Sequence, residues 1–308
     1  MRISEPTPAA IAALQARHLV IAAAARLRTG DSPSARLDAE LLVAHAFGRD
    51  RTWLAAHPEA TLETSAWERL SELVERRAVG EPIAYLRGFK EWLSLRLATD
   101  HRALIPRPET EFLADAAIAE IAARLAGEGA PLNAWEVATG GGAVAVALAQ
   151  RFRTALSLGR LHMTASDLSP DALELAAENL SSHGVGHLVS LACGDLLDPA
   201  PPGTRFDLLV ANLPYVDSAE VDAGRGSLAW EPRLALDGGP DGLDVVRRLV
   251  ADLPERLAPR GVALLEIGAG QAHRVRAMVA ALDMAGVVSA IHDLAGIERV
   301  LRIQRLPA

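Results

Sequence analysis

Residues 207–215 read Asp-Leu-Leu-Val-Ala-Asn-Leu-Pro-Tyr, and this stretch decides the fold of the second half of the chain. Its apolar run predicts a short buried strand, and open α/β sheets bind their ligands at the ends of such strands. Asn212 then offers a side-chain carbonyl beside the backbone carbonyl of Leu213, which Pro214 holds in an extended conformation. Two neighbouring acceptors suit an –NH2 group, and Tyr215 adds an aromatic wall. The pattern suits methylation of a planar, weakly nucleophilic nitrogen, although an ordinary strand and Asn-Pro turn would explain it equally well.

Length and composition indicate a globular protein of about two domains. The chain has 308 residues, half of them apolar, and a formal net charge of −8. Nucleic-acid binding rests on clustered Lys and Arg, so this acidic balance predicts no direct nucleic-acid partner. The nine histidines are scattered, and the single cysteine, Cys193, excludes an intrachain disulfide and a Cys-based zinc site. We therefore expect no metal.

The sequence also predicts where the protein is found. No apolar run approaches the length that spans a membrane, so we expect no membrane segment. The N-terminus carries Arg2 and Glu5 among its apolar residues, which is unlike a signal peptide. Together with the single cysteine, these features favour a cytoplasmic protein, which we expect to be a monomer.

Two regions precede the alternating part of the chain. Residues 1–82 are predicted to form a helical recognition domain, with Ser34 as the cap of one helix and Ser65 opening another with capping-box spacing. Residues 83–108 are predicted to form a β-hairpin linker. Its strands are expected at 93–97 and 103–105, with the turn at Asp100-His101.

Strands and helices alternate through residues 109–308. Such alternation predicts an α/β domain with a parallel sheet and crossover helices. The tail differs, because the strands expected at 287–292 and 300–303 have only a short link and should form an antiparallel hairpin at one sheet edge. The other strands are expected at 133–138, 161–166, 188–192, 207–211 and 261–267. Helices are expected at 112–125, 143–152, 170–182, 243–257 and 271–283.

A glycine-rich turn, Thr139-Gly140-Gly141-Gly142, follows the first of these strands. Glycines let the backbone approach a ligand closely, and the start of the next helix offers free N–H groups. Gly140, Gly142 and Ala145 also fit the dinucleotide pattern G-x-G-x-x-A. The turn alone does not separate a nicotinamide cofactor from S-adenosylmethionine, and it is also compatible with an ordinary turn.

Acidic residues follow the next two strands. Asp167 can accept hydrogen bonds from both ribose hydroxyls of a cofactor, or cap a helix, a role that Ser169 also fits. Asp195 can accept from an adenine amino group while Leu196 packs on the ring, or it can simply begin a turn. These features come in the order that a class I methyltransferase needs. The glycine turn is followed by the acid for the ribose, the acid for the adenine and then Asn-Leu-Pro-Tyr. A dehydrogenase would need a catalytic His, Tyr-Lys or Cys, and no such candidate stands out.

Several segments resemble the HemK-type release-factor glutamine methyltransferases. The segment Leu-Ile-Pro-Arg-Pro-Glu-Thr-Glu at 104–111 looks like the hallmark of that family, and similar motifs run nearly end to end. The further motifs are residues 35–42, 80–85, 231–236 with Gly239 and 241–243, 264–268 with Gln271, and 293–296 with Arg299 and Val300.

This resemblance implies a fold, a reaction and a set of site residues. The fold is a helical domain and hairpin linker before a seven-stranded, Rossmann-like class I S-adenosylmethionine-dependent methyltransferase domain. The reaction is N5-methylation of the glutamine in the Gly-Gly-Gln loop of peptide chain release factors, which would be the partners. The residues expected around the cofactor are Ala138, Thr139, Gly140, Gly141, Gly142, Asp167, Asp195, Leu196 and Asn212. The residues expected to bind substrate are Asn212, Leu213, Pro214, Tyr215, Arg107 and Glu109, the first four of them catalytic.

Four positions depart from the family pattern. Leu213 replaces a proline, Gly141 replaces a Ser or Thr, and residues 91–93 read Glu-Trp-Leu where the family has Glu-Phe-Trp. Ala138 stands where the family has a glycine. If that position requires a positive φ, alanine costs on the order of 1 kcal/mol there.

From the sequence we expect a direct in-line methyl transfer, in which the acceptors raise the electron density of the amide nitrogen and no strong base is needed. Three alternatives stay open. One is a paralogue that methylates a different protein or a small molecule. Another is a nucleic-acid adenine N6-methyltransferase, because Asn-Leu-Pro-Tyr is also the form in ribosomal-RNA adenine dimethyltransferases, although those enzymes lack the 104–111 segment. The third is a non-catalytic binding module whose cofactor loop has decayed at Ala138.

Overall fold

The computed structural model of the protein describes residues 15–30, 32–127, 129–224 and 226–307. Arg2 and Glu5, which bear on the signal-peptide expectation, lie outside these residues. The chain forms two compact units that divide after Gly88. The division predicted at residues 82 and 108 differs, since it places a separate linker between the units. Among the described residues, no helix has both the length and the apolar character needed to cross a membrane.

The first unit is helical, as the sequence predicted for most of its length. Leu19, Leu42 and Leu70 are almost fully buried in its apolar core. A buried ion pair joins two of its helices, with Arg77 Nε 2.8 Å from Asp38 Oδ2. The helices are α1 (Ala16–Arg28), α2 (Ala35–Ala46), α3 (Arg51–Ala56), α4 (Thr64–Ala78) and α5 (Ile83–Arg87).

Two helix starts in this unit differ from the prediction. Ser34 precedes α2 as expected, but its hydroxyl donates to Asp38 Oδ1 at 2.9 Å and does not cap the helix backbone. A buried carboxylate needs donors, so the serine serves the ion pair with Arg77. The capping box at Ser65 is wrong, because α4 already begins at Thr64.

A β-hairpin opens the second unit. Its strands are β1 (Phe89–Trp92) and β2 (Leu95–Ala98), paired antiparallel with Trp92 opposite Leu95. The two turn residues, Leu93 and Ser94, have φ values of 45° and 62°. Positive φ at both positions is the conformation that matches the twist of a two-residue hairpin.

The hairpin is present, but the prediction of its strands is wrong. The run 93–97 begins in the turn, and 103–105 is not a strand. Asp100 accepts the backbone N–H of Ala103 in a local turn, and the N–H of Ile105 donates to a glutamate side chain at 3.1 Å. These groups are therefore engaged outside any strand ladder.

The seven-stranded sheet has the predicted α/β architecture. Its strand order is β5-β4-β3-β6-β7-β9-β8, with β9 antiparallel to both β7 and β8 and the other pairs parallel. The edge hairpin predicted for the tail is thus confirmed. The strands are β3 (Leu132–Val137), β4 (Leu161–Asp167), β5 (Ser190–Cys193), β6 (Phe206–Asn212), β7 (Leu257–Glu266), β8 (Gly286–His292) and β9 (Glu298–Arg305).

Strand β6 lies at the centre of the sheet and is buried on both faces. Leu208 and Val210 belong to one apolar core, and Leu209 and Ala211 belong to the other. A strand covered on both sides needs an apolar residue at every position, which explains the unbroken run at 208–211. The helices of this unit are α6 (Thr110–Leu125), α7 (Ala143–Arg151), α8 (Arg153–Ser157), α9 (Pro170–Ser182), α10 (Ser218–Ala223), α11 (Asp244–Arg256) and α12 (Ala272–Ala280).

Candidate active site

The carboxyl ends of β3, β4, β5 and β6 meet at a cleft of about 290 Å³. Parallel strands end together at one edge of the sheet, where open α/β sheets bind their ligands. Most residues singled out from the sequence line this cleft. They are Arg107, Ala138, Thr139, Gly140, Gly141, Asp167, Asp195, Leu196, Asn212, Leu213 and Pro214. Glu109, Gly142 and Tyr215 lie outside the lining.

The glycine-rich turn alternates into the left-handed region of the backbone. The φ values are 56° at Ala138, 55° at Gly140 and 78° at Gly142. A side chain at Gly142 would place its Cβ 3.0 Å from the Cβ of Ala176, so glycine there lets α7 approach α9. Ala138 has the positive φ at which alanine costs on the order of 1 kcal/mol.

The Asp167 carboxylate fastens this turn to the end of β4. Its Oδ2 accepts the backbone N–H of Gly140 at 2.8 Å, and its Oδ1 accepts the N–H of Ser169 at 2.9 Å. The cap of α9 is Ser169, whose hydroxyl accepts from Ala172 at 3.2 Å. Burial raises the pKa of Asp167, and the backbone donors oppose that rise. Each carboxylate oxygen retains a second lone pair for a ligand.

Asp195 and Leu196 follow β5 and line the cleft. Leu196 is buried, with a φ of 47°. Asp195 Oδ2 lies 2.6 Å from Nη2 of Arg248, a residue of α11 that also lines the cleft. The sequence did not single out Arg248, because it follows Asp195 by 53 positions.

The side chain of Asn212 is oriented by Thr110. Asn212 Nδ2 donates to Thr110 Oγ1 at 3.2 Å, and Thr110 is buried at the start of α6. Within the part of the chain that the structure describes, Oδ1 of Asn212 makes no hydrogen bond. Because Nδ2 is engaged, the oxygen is the part of the amide that remains available to a ligand. Thr110 lines the cleft as well, although it was not among the residues predicted to act there.

The rest of the Asn-Leu-Pro-Tyr segment divides between cleft and interior. Leu213 is buried and Pro214 lines the cleft beside it. The Tyr215 hydroxyl donates to Glu266 Oε1 at 3.4 Å, and its backbone oxygen accepts from Gln271 Nε2 at 3.0 Å. Burial raises the pKa of Tyr215. The ring is thus held behind the cleft wall, outside the lining.

Arg107 and Glu109, expected at the substrate, have protein partners. Arg107 Nη2 lies 2.6 Å from Oε1 of Glu231, whose side chain is fully buried. The other oxygen of Glu231 accepts the N–H of Ile105. Glu109 lies 3.9 Å from Arg299. Two segments distant in sequence, 104–111 and 231–236, are therefore joined by one ion pair, and substrate binding by Arg107 and Glu109 stays a prediction.

Two buried glutamates near the cleft were missed by the sequence analysis. Burial raises the pKa of Glu136, on β3, to about 8 and that of Glu266, on β7, to about 7. A hydrogen bond with Thr139 opposes this rise at Glu136, and hydrogen bonds with Thr110 and Tyr215 oppose it at Glu266. Glu266 stands opposite Asn212 in the β6–β7 pairing. The available signal was an acidic residue inside an otherwise apolar strand.

Family models match both units. Residues 18–88 match the PrmC N-terminal domain, and residues 134–228 match a methyltransferase domain. In the described residues, no group of three or more His, Cys, Asp or Glu side chains is placed to hold a metal ion.

Relatives that align with most of this chain include release factor glutamine methyltransferases. The release factor glutamine methyltransferase of Rhodopirellula baltica is 36% identical over 279 residues, which cover 90% of this chain and 92% of that protein. That of Deinococcus radiodurans is 37% identical over 293 residues, covering 95% and 99%. The solved hMettl16 catalytic domain in complex with MAT2A 3′UTR hairpin 1 aligns with a TM-score of 0.51 at 12% identity. It covers 82% of this chain and 86% of that chain, and at this identity it shows the fold alone.

Proposed function

We propose roles for the cleft residues from one premise, which is that the chain belongs to the family of release factor glutamine methyltransferases. Relatives at 36% and 37% identity align with at least nine-tenths of its length. The chain is accordingly a methyltransferase. We infer that its methyl donor is S-adenosylmethionine and that its substrate is the glutamine side chain in the Gly-Gly-Gln loop of a release factor.

The groups around the glycine turn fit S-adenosylmethionine. Glu136 and Thr139 are buried and both line the cleft, and a hydrogen bond with Thr139 opposes the rise in the pKa of Glu136. They suit the ammonium group of the methionine part. Asp167 has lone pairs left for the ribose hydroxyls. Asp195 has one carboxylate oxygen beyond its contact with Arg248, which suits an adenine amino group.

The end of β6 supplies the acceptors for the substrate. Asn212 Oδ1 and the Leu213 carbonyl would each accept one hydrogen of the glutamine –NH2 group, and Pro214 would flank it. When bound, S-adenosylmethionine supplies an activated methyl group on a sulfonium. The two acceptors stabilise the positive charge that develops on the amide nitrogen as the new bond forms, and they fix the direction from which that nitrogen approaches the methyl group. The methylated amide is acidic enough to lose its proton to water.

One observation carries this proposal above all. Asn212 Nδ2 donates to Thr110 Oγ1, and this orientation leaves the amide oxygen of Asn212 available to a ligand in a cleft that also contains the glycine turn.

Mass spectrometry of release factors tests the proposal. Purified release factors are incubated with this protein and S-adenosylmethionine, and the tryptic peptide carrying Gly-Gly-Gln is examined. We expect one added methyl group on the glutamine. A release factor with that glutamine changed to alanine is the control and should gain none.

Two results would contradict the proposal at different points. Methylation at another residue, or of another protein only, would leave the enzyme class and replace the substrate. Failure to bind S-adenosylmethionine in calorimetry would instead support a binding module with a decayed cofactor loop.

A further inference from the structure

Asn179, in the last turn of α9, makes three hydrogen bonds with its side chain. Oδ1 accepts the backbone N–H of Ala98 at 2.7 Å. Nδ2 donates to the carbonyl of Ala98 at 3.0 Å and to the carbonyl of Gly141 at 2.8 Å. The residue is 1% exposed. Both ends of the amide are therefore engaged, and its orientation is fixed by the groups that it contacts.

The two backbone segments joined by Asn179 both lead into the lining of the cleft. Gly141 belongs to the glycine turn and lines the cleft itself. Ala98 ends β2, and the chain runs from there into residues 102–107, most of which also line the cleft. A Cβ at Gly141 would lie 3.7 Å from the Cβ of Ala103, so the two segments are close at this point.

The chemistry of Asn179 points to a positioning task. Asparagine is a poor residue for the body of a helix, because its amide competes for backbone groups. Here the amide satisfies backbone groups of two other segments, the end of β2 and the glycine turn. Its neighbour Glu178 links α9 to the 102–107 segment at the surface, through two contacts with Arg102 at 2.8 and 2.9 Å.

We propose that Asn179 is a positioning residue for the cofactor, which sets the separation between the glycine turn and the 102–107 wall. This inference rests on the proposed use of S-adenosylmethionine. Asn179 contacts no reacting atom, so it acts on the affinity for the cofactor and leaves the methyl-transfer step unchanged. Glu178, which is exposed, makes a much smaller contribution.

The test is the variant Asn179→Asp. Aspartate keeps the acceptor for the N–H of Ala98, but it turns a second oxygen toward the carbonyls of Ala98 and Gly141. Losing two donors inside the protein should raise the Kd for S-adenosylmethionine about tenfold in calorimetry. With saturating cofactor, kcat and the KM for the release factor should stay within about twofold of wild type, a split that general loss of structure would not produce.

Glu178→Gln is the matched control, since it removes the exposed ion pair one residue away. Its Kd should change by less than about twofold. If Asn179→Asp does not fold, Asn179→Ser is measured in its place, below its own Tm. An unchanged Kd in a folded Asn179 variant overturns the inference, as does a fall in kcat alone.

The wild-type measurement separates the two claims. If the wild-type protein does not bind S-adenosylmethionine, the proposed function fails and this inference fails with it. If the wild type binds and the Asn179 variant binds equally well, only the inference fails.

Discussion

At the end of β3, residues 138–142 turn through left-handed φ values and are held by Asp167 and Asn179. At the end of β6, residues 212–215 have no positive φ, and the chain is held by side chains from other elements alone. The first turn depends on left-handed φ values at alternate positions. The second depends on Thr110 at the side chain of Asn212 and on Gln271 at the backbone of Tyr215. One cleft therefore depends on two kinds of constraint, backbone conformation and side-chain contacts. Changes near β3 alter strain and cofactor fit, while changes near β6 alter the direction of an acceptor.

The largest effect is expected from Asn212→Ala, which removes the acceptor at the end of β6. We expect kcat to fall by about a thousandfold, while the Kd for S-adenosylmethionine changes little. Thr110→Val is the matched variant, because it keeps the acceptor and frees its orientation. Its kcat should fall by about tenfold only. Turnover that survives in Asn212→Ala would remove this residue from the reaction.

The ion pair between Arg107 and Glu231 stabilises the cleft wall at a place outside both turns, and it can be tested by mutation. Glu231→Ala leaves a half-buried guanidinium and the N–H of Ile105 without their partner. The free energy of unfolding should drop by about 3 kcal/mol, measured by urea denaturation. Glu178→Ala, which breaks an exposed pair, should cost less than about 1 kcal/mol. An equal loss in the free energy of unfolding for the two variants would mean that the Arg107–Glu231 pair does not support the structure. Substrate binding would then be the better explanation of Arg107.

A buried glutamate lies near each turn, Glu136 on β3 and Glu266 on β7 beside the end of β6. The pH dependence of stability reports whether each of them is charged in the folded protein. Burial chiefly raises the pKa of Glu266 from 4.5 to about 7; nearby Glu109 raises it further, and Thr110, Tyr215 and Arg299 lower it. The folded state therefore binds a proton more tightly than the unfolded state. This contribution to stability is complete below about pH 4.5 and is lost as the pH rises through about 7.

Glu266→Gln removes this dependence. Above pH 8 the variant should be more stable than the wild type by about 2 kcal/mol relative to their difference at pH 5, in urea denaturation followed by fluorescence. Parallel curves for the two proteins would show that Glu266 keeps its charge on folding. Glu136→Gln, on the β3 side, should remove a similar loss of stability that occurs at a higher pH, because burial raises the pKa of Glu136 to about 8.

The smallest effect is expected at Ala138. Ala138→Gly relieves a positive φ and should raise the free energy of unfolding by about 1 kcal/mol. The Kd for the cofactor should stay equal or fall slightly. Ala147→Gly, in the middle of α7 where the backbone is helical, should lower the stability by about 1 kcal/mol. A loss of stability in Ala138→Gly would show that the turn carries no strain there.

The sequence predicted the sheet well because its signals are local. The apolar run of β6 and the alternation of strands and helices were visible within short windows, and the glycine turn fell at the end of β3 as expected. The β1–β2 turn was missed, because Leu93 and Ser94 have positive φ values without being Gly, Asn or Asp. Such a turn has no sequence signature.

The contacts that orient the site join residues far apart in the chain. Thr110 and Asn212 are separated by 102 positions, and Arg107 and Glu231 by 124. The family motifs indicate that these residues have a shared role, but their spacing in the sequence does not predict which atoms are in contact. No role was predicted for Asn179, because it lies in an amphipathic helix and its partners are backbone atoms. Long-range pairing of this kind follows from the packed fold alone.

Strand β5 ends at Cys193, which is exposed and is the sole cysteine of the chain. The next two residues, Gly194 and Asp195, line the cleft. A thiol-reactive dye would therefore attach at one position, beside the adenine end of the proposed binding site, with no engineering of the protein. Fluorescence from that dye offers a direct optical record of occupancy and release in the wild type and in every variant considered above.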